Sequence, residues 1–429
     1  LARSDAFDEG RLAPAAHIPA VSTAGRDFDV VVYGASGFAG RQVVRYLAAH
    51  PQRPSLRWAL AGRDPGKLEA ARDAAGGDTP AVLVGDATDP SAIDAIASRA
   101  RVVLNTAGPF ALYGDAMVDA CVRFGTHYVD ITGETPWVRE LIDRHHERAA
   151  AAGTRIVPCC GFDSVPSDLG AFLAVRELAR LGTPARAVKA YFSMRGGVNG
   201  GTIATLMALG ADPAKRALLG DPFLLDPPRE RSAGELARSR DPQSARFDPD
   251  AGGWVSPFFM GPINTRVVRR SAALYAQWNE PYGPDFTYQE YLRFGAGGAL
   301  PASLVAGGSA LFMSSVAFPA PREFFRALLP KPGAGPSERA MNEGRFRCTL
   351  AAHGEDGKRV RGVMADSGDP GNRATAKMVC EAALALVFDA ERLPGGPARG
   401  GLLTPATAFG NVLAERLRSA GMTVEAGAA

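Results

Sequence analysis

The first strongly patterned stretch is a short, largely apolar run, Phe28 to Tyr33, rich in valine, with Asp29 its one charged residue, and closed by a glycine turn. A short run without polar alternation predicts a parallel strand buried on both faces. Gly40 to His50 follows with Val43, Val44 and Leu47 on one helical face. The same alternation then repeats. Strands are predicted at Leu56–Ala61, Ala81–Val84, Arg101–Asn105, His127–Ile131 and Arg155–Cys159. Helices are predicted between them at Pro65–Ala75, Pro90–Ser98, Tyr113–Phe124 and Pro136–Ala152. Strands alternating with helices through short loops give an α/β fold, a doubly wound, six-stranded parallel sheet of Rossmann type.

Past residue 160 the alternation stops. "CCGFDSVPSDLGAF" (159–172) leads from the sixth strand into a new helix. "RGGVNGGTIAT" (195–205) is a second glycine-rich turn, either a binder of an anion or carbonyl or a plain strand–helix turn. Residues 210–256, rich in Pro, Asp, Arg and Ser, read as a long, partly mobile surface excursion. Phe294 to Pro321 contains no charged residue. Prolines and glycine pairs interrupt it, so it reads as a buried helix or an apolar wall for a lipid-like substrate, with peripheral membrane contact through 294–321 as the alternative. Residues 369–389 form an amphipathic helix, and 401–417 a capped turn with a further helix. The expected division is a disordered tail (1–26), a nucleotide-binding domain (27–160), an α+β substrate domain (161–368) and C-terminal helices (369–420) that pack back on the first domain.

Bulk properties narrow this little. A chain of 429 residues exceeds one small core. Its 46% apolar and 22% charged content is that of a soluble globular protein, and a net charge of +3 gives no reason for a nucleic-acid partner. Five cysteines without a CxxC pair argue against zinc or a disulfide framework and for a reducing cytoplasm. His145-His146 reads as a solvated pair on a helix rather than a metal site.

The turn "GASGFAG" holds Gly34, Gly37 and Gly40, with Ser36 and Phe38 between them. After a first strand and before a helix, such a trio is where a dinucleotide pyrophosphate binds. Strand two ends in "LAGRD", so Arg63 stands where a binder of NAD carries an acid; with Lys67 it selects a 2′-phosphate, hence NADP(H), unless Asp64 turns to the ribose instead. Asp86 and Ala87 follow strand three and are placed for the adenine edge. Thr106, Ala107, Gly108 and Pro109 follow strand four, where the nicotinamide half passes.

These stretches, with "YVDITGE", "CGFDSVPSDLG", "NTRVVRRSAAL", "GDPG" and "LLTPATAFG", resemble the saccharopine dehydrogenase-like proteins, above all the trans-acting enoyl reductases of actinobacterial lipid and polyketide assembly. The resemblance runs over roughly residues 28–418. It implies a Rossmann domain, an α+β domain with an open sheet, a C-terminal helix returning to the first domain, and NADPH as hydride donor. Saccharopine-forming reductases carry an acid–histidine pair in the segment matching Asp163 to Asp168. Here that segment is DSVPSD, which speaks against an amino-acid zwitterion and for an apolar acyl or polyketide thioester, free or on a carrier protein. Tyr113, Asp163 and Ser164 are the catalytic candidates. Thr132 and Glu134 match positions that border the active site in related reductases. Asp163 and Ser164 could equally cap the helix that starts near Pro166. The other readings are an imine or carbonyl reductase and a non-enzymatic, lipid-associated nucleotide-binding protein.

Overall fold

The computed structural model describes residues 25–76, 80–196, 212–315, 318, 320–323 and 335–429. The expected tail lies almost wholly outside them, as does the glycine-rich turn from residue 197 onward. Two sheets organise the described residues. The first is parallel, in the order β13-β6-β5-β4-β1-β2-β3. Its strands are β1 (Phe28–Tyr33), β2 (Trp58–Gly62), β3 (Ala81–Val84), β4 (Ala100–Asn105), β5 (His127–Asp130), β6 (Arg155–Val157) and β13 (Gly401–Leu402). Helices α1 (Phe38–Ala48), α2 (Pro65–Asp73), α3 (Pro90–Ala97), α4 (Phe110–Tyr113), α5 (Asp115–Phe124) and α6 (Thr135–Ala151) alternate with them. Val30, Val31 and Val32 of β1 have no exposed surface, as expected of a strand covered on both faces.

Sequence reading missed the seventh strand. Two residues are too short to leave a pattern, and β13 is recruited from the far end of the chain by pairing with β6. Buried Arg155 holds that junction by donating to the carbonyls of Ala408, Pro394 and Gly396. Tyr113 also sits differently: it ends the short helix α4 rather than opening α5.

The second sheet has the order β14-β12-β11-β7-β10-β9-β8. It comprises β7 (Ala185–Arg195), β8 (Arg246–Asp248), β9 (Gly253–Pro257), β10 (Thr287–Gly295), β11 (Arg345–Gly354), β12 (Arg359–Ser367) and β14 (Thr423–Ala428). The β7–β10 pair is parallel and the other neighbours are antiparallel. Helices α7 (Val165–Arg180) and α10 (Gly261–Gln277) cover one face. The short helices α8 (Pro213–Leu219) and α9 (Ala233–Arg238) precede β8, α11 (Ala299–Ser315) packs against β8–β10, and α12 (Glu338–Glu343) precedes β11. Helix α13 (Thr375–Phe388) packs on α1, β4 and β5, and α14 (Pro405–Ser419) on α7 and α13.

Three readings of the second half need correction. Residues 212–256 are not an irregular excursion: they carry two helices and two strands, and Leu224, Leu225 and Asp226 are buried. The reason lies in α10 and its arginines. Arg266, Arg269 and Arg270 are buried and donate to the carbonyls of Leu219, Asp221, Pro222, Leu225 and Ser239. The uncharged stretch is, conversely, no buried helix. Leu300, Leu304 and Leu311 of α11 are 66–70% exposed, while Ala302 and Ala306 on the other side are buried. No helix of the described residues is long and apolar enough to cross a membrane. Finally, α13 is buried nearly all round rather than amphipathic, because it is enclosed between the first sheet and α14.

Candidate active site

The nucleotide turn is built by contacts that only glycine permits. Gly34 has φ +80°, and a Cβ there would lie 2.8 Å from the Ala107 amide nitrogen and 3.0 Å from Thr106 Oγ1. A Cβ on Gly40 would lie 2.2 Å from the Gly34 carbonyl oxygen. Gly37 is the N-cap of α1 and brings no side chain to it, so the first-turn amides are open to an anion. Ser36 gives its carbonyl to Arg41 at 2.6 Å, and the Phe38 ring packs on Gly335. Thr106 Oγ1 donates to the carbonyls of Tyr33 (3.0 Å) and Gly34 (3.2 Å), locking the end of β4 to the turn. Ala107 N–H donates to Asn105 Oδ1, and Gly108-Pro109 leads into α4. The residues expected to meet the pyrophosphate and the nicotinamide half thus form one continuous rim.

At the other end of the cofactor track, Asp64 caps α2 by accepting from the Lys67 amide, and Lys67 Nζ pairs with it at 3.2 Å. Asp64 is therefore committed to its own helix, and Lys67 to Asp64. Arg63 is exposed and bonded to no described residue. Asp86 turns back to accept from the amide and hydroxyl of Thr88, at 2.9 and 2.8 Å, so it closes its own turn, and Ala87 packs beside it. The glycine cradle, the open helix start and the free Arg63 guanidinium fit NADP(H).

The carboxyl ends of β5 and β6 and the start of α7 form the second part of the site. Asp130, fully buried, accepts from Thr132 N–H, Cys159 N–H and the Tyr128 hydroxyl at 2.9–3.0 Å. Burial pushes its carboxyl up to about 7. It also holds Cys159 at φ +63°, a left-handed backbone that costs a non-glycine residue about 1–2 kcal/mol. Thr132 accepts from the Glu134 amide, and the buried Glu134 carboxylate accepts from Phe110 N–H (2.8 Å) and Ala111 N–H (3.0 Å). Glu134 therefore caps α4 and sets the loop that carries Pro109 and Tyr113.

Asp163 and Ser164 stand together at the head of α7. Ser164 occupies the N-cap position but makes no side-chain cap. Its hydroxyl donates to Asn264 Oδ1 (3.2 Å), and Asn264 donates to Glu290 (2.8 Å). Glu290 also accepts from Ser167 and Tyr288, and burial pushes it up to about 7. Asp168 is buried between Ser271 and the Ala406 amide and is likewise pushed up to about 7. Asp163 differs from all of these. It is partly exposed, and no described group donates to it. Desolvation alone pushes it up to about 6. Its surroundings are apolar: a Cβ on Gly133 would lie 3.3 Å from Ile263 and 3.9 Å from Asp163 Oδ2, with Met260 at 3.8 Å. No hydrogen bond joins Tyr113, which is 39% exposed, to Asp163 or Ser164.

Sequence reading singled out the glycine rim and Asp163 as candidates, and it missed the Asp130 and Glu290 networks, whose partners are far apart in the chain. His145 and His146 also differ from the solvated pair expected. His145 is buried, and His146 Nδ1 accepts from the Leu402 amide at 3.2 Å.

Comparison with known proteins agrees with this geometry. Residues 30–157 match the saccharopine dehydrogenase NADP binding domain. A Mycobacterium tuberculosis protein provisionally named a trans-acting enoyl reductase is 40% identical over 417 residues, covering 93% of this chain and 97% of that one. The Mycobacterium ulcerans protein named trans-acting enoyl reductase is 38% identical over 431 residues, covering 95% and 99%. Among solved structures, saccharopine dehydrogenase (L-Glu forming) from Saccharomyces cerevisiae superposes with a TM-score of 0.52 at 15% identity, over 94% of this chain and all of that one, which establishes the fold. With the nucleotide rim, both sheets and the near full-length relatives in agreement, the chain belongs to the saccharopine dehydrogenase-like family that includes the trans-acting enoyl reductases.

Proposed function

We propose that this NADP-dependent oxidoreductase reduces the conjugated double bond of an unsaturated acyl or polyketide thioester, acting in trans on a chain built by another enzyme. The observation that carries the reading is Asp163: a carboxyl with no described partner, in apolar surroundings, pushed up to about 6, where strand ends of the first sheet meet the second. An apolar site with one protonatable group suits an acyl chain and does not provide for a zwitterion.

The rim of Gly34, Gly37 and Gly40, with Arg63 at the 2′-phosphate, would hold NADPH, which when bound would supply the hydride for the β-carbon. Asp163 holds the proton destined for the α-carbon. Tyr113, with its hydroxyl free of described partners, donates to the thioester oxygen as negative charge develops there. Ser164 is a positioning residue, since its hydroxyl is spent on Asn264 and through it on Glu290. The apolar neighbours Met260 and Ile263 keep water from the reacting carbons.

The test is NADPH oxidation with a series of 2-enoyl thioesters, against imine and ketone controls. Turnover of the enoyl thioesters alone upholds the assignment. Turnover of imines or ketones alone overturns it in favour of saccharopine-like chemistry.

A further inference from the structure

The second sheet has two unlike faces. Val188, Ala190 and Phe192 of β7, with Phe346, Cys348 and Leu350 of β11, are buried on the face that α7 and α10 cover. On the other face, at the end of β7 that leads to the site, the register sets arginines side by side. Arg195 lies directly opposite Arg345, and one rung inward Ser193 lies opposite Arg347. Strand β10 pairs Leu292 with Phe192, so Arg293 falls beside Ser193 on the same rung. Like charges directly opposed on one face oppose sheet formation, and among the described residues they are only partly offset. Arg345 and Arg347 are exposed and pair with no described residue, and Arg195 reaches only Glu343, at 3.9 Å. The acid Asp366 also borders this region, and its charge is taken by Lys377 at 2.8 Å.

These arginines line an open cavity of about 560 Å³ that Ser193, Ala365 and Thr423 floor and that Phe346 and Asp366 border at the strand ends. The opposite face of the same strand ends carries Phe192 and Phe346. They pack on Phe162, the neighbour of Asp163, with ring centroids 6.0 and 4.8 Å apart. The cavity and Asp163 therefore share one end of the sheet, separated by the thickness of the strands. Further along the open face stand Arg359 and Arg361, with Asp250 and Glu425 as acids among them, so the surface stays net positive over a wider area than one small anion needs.

We infer that the cavity lined by Arg195, Arg345 and Arg347 binds the phosphodiester of a 4′-phosphopantetheine arm on an acidic carrier protein, whose thioester end reaches Asp163 past the strand ends. This rests on the acyl-thioester reading above. Arginine supplies planar, charge-assisted donors to phosphate oxygens, and the flanking positive face complements an acidic partner.

The test is the double variant Arg345→Ser with Arg347→Ser, first shown to unfold at the parent's temperature and to bind NADPH with the parent's affinity. With an enoyl group on holo carrier protein, kcat/KM should fall about 10- to 100-fold, the loss expected of charged hydrogen bonds to phosphate. With the same enoyl group on pantetheine, which lacks the phosphate, it should stay within about twofold. Equal losses on both substrates, or none on either, overturn the proposal. A loss with the coenzyme A thioester but none with the carrier-borne one overturns the carrier as source. If no thioester is reduced, the functional assignment has failed and the site is still testable by calorimetry. Binding of 4′-phosphopantetheine, weaker for pantetheine and abolished in the variant, upholds the cavity; equal binding of the two overturns it.

Discussion

Replacing Asp163 with Asn should improve the fold and damage the chemistry, each with its own pH dependence. Its ordinary carboxyl value is 3.8, and desolvation raises it to about 6 in the folded chain. Between those values the folded protein holds a proton that the unfolded chain has released. Stability therefore falls as pH rises through this window, and the ionised group burdens the fold fully above about 6. The difference corresponds to about 3 kcal/mol at most. For a chain of 429 residues this is about 3 °C in the unfolding temperature. Asp163→Asn keeps the shape and removes the titration. It should unfold about 3 °C higher than the parent at pH 8 and at the same temperature at pH 4. Enoyl reduction should show the opposite. If protonated Asp163 supplies the proton, the parent's kcat/KM falls about 50-fold between pH 6 and pH 8. The variant should be about 10²- to 10⁴-fold slower at pH 6, with a flat profile. Differential scanning fluorimetry across pH and initial rates on one thioester measure both. A variant that is no more stable at pH 8, or that keeps the parent's pH profile, would refute the assignment of an unpartnered, desolvated proton donor.

Two further outcomes probe the cofactor rim and the fold. Arg63→Ala should weaken NADPH binding about 10- to 100-fold and change NADH binding less than about twofold, by fluorescence titration; equal losses would remove the 2′-phosphate assignment. Arg270→Met should destabilise the chain by about 2–4 kcal/mol in denaturant melts. It leaves the carbonyls of Leu225 and Leu402, each 2.6 Å from the guanidinium, without that donor, a loss only partly offset because Arg270 no longer pays for burial. Proteolysis should then begin within residues 212–256, and an unchanged cleavage pattern would count against the stapling role.

What was legible in the sequence is what local chemistry dictates. Gly34 and Gly40 announce the nucleotide turn because no other residue fits beside the Ala107 amide or the Gly34 carbonyl. Thr404 announces α14 because its hydroxyl and that of Thr407 cap the helix reciprocally, three residues apart. The second half was illegible where burial depends on distant partners. Arg266 and Arg270 carry no local sign of burial, yet carbonyls from residues 219–225 and 402 draw both inside. Leu300, Leu304 and Leu311 read as core, yet only the alanine side of α11 meets the sheet edge. Strand β13 has no pattern to read, because two residues gain strand geometry only from β6, more than two hundred positions earlier.

The same non-local logic separates the acid proposed to act from those that hold the fold. Asp130, Asp168 and Glu290 are pushed higher than Asp163, to about 7 against about 6, so the size of the shift alone does not single out Asp163. Partners decide the matter. Glu290 accepts from Ser167, Tyr288 and Asn264, and Asp130 from two amides and a tyrosine. Asp168 accepts from Ser271 and the Ala406 amide. A carboxyl enclosed by donors has no room to pass a proton to a substrate, and breaking its network leaves several buried groups unpaired. Those acids fix the loop after β5, the head of α7 and the return of the C-terminal segment. No described group donates to Asp163, which lies beside Gly133 with Ile263 and Met260 near it. That lack of described donors, rather than its raised pKa, is why the proposed mechanism gives the proton to Asp163 and not to the donor-filled acids around it.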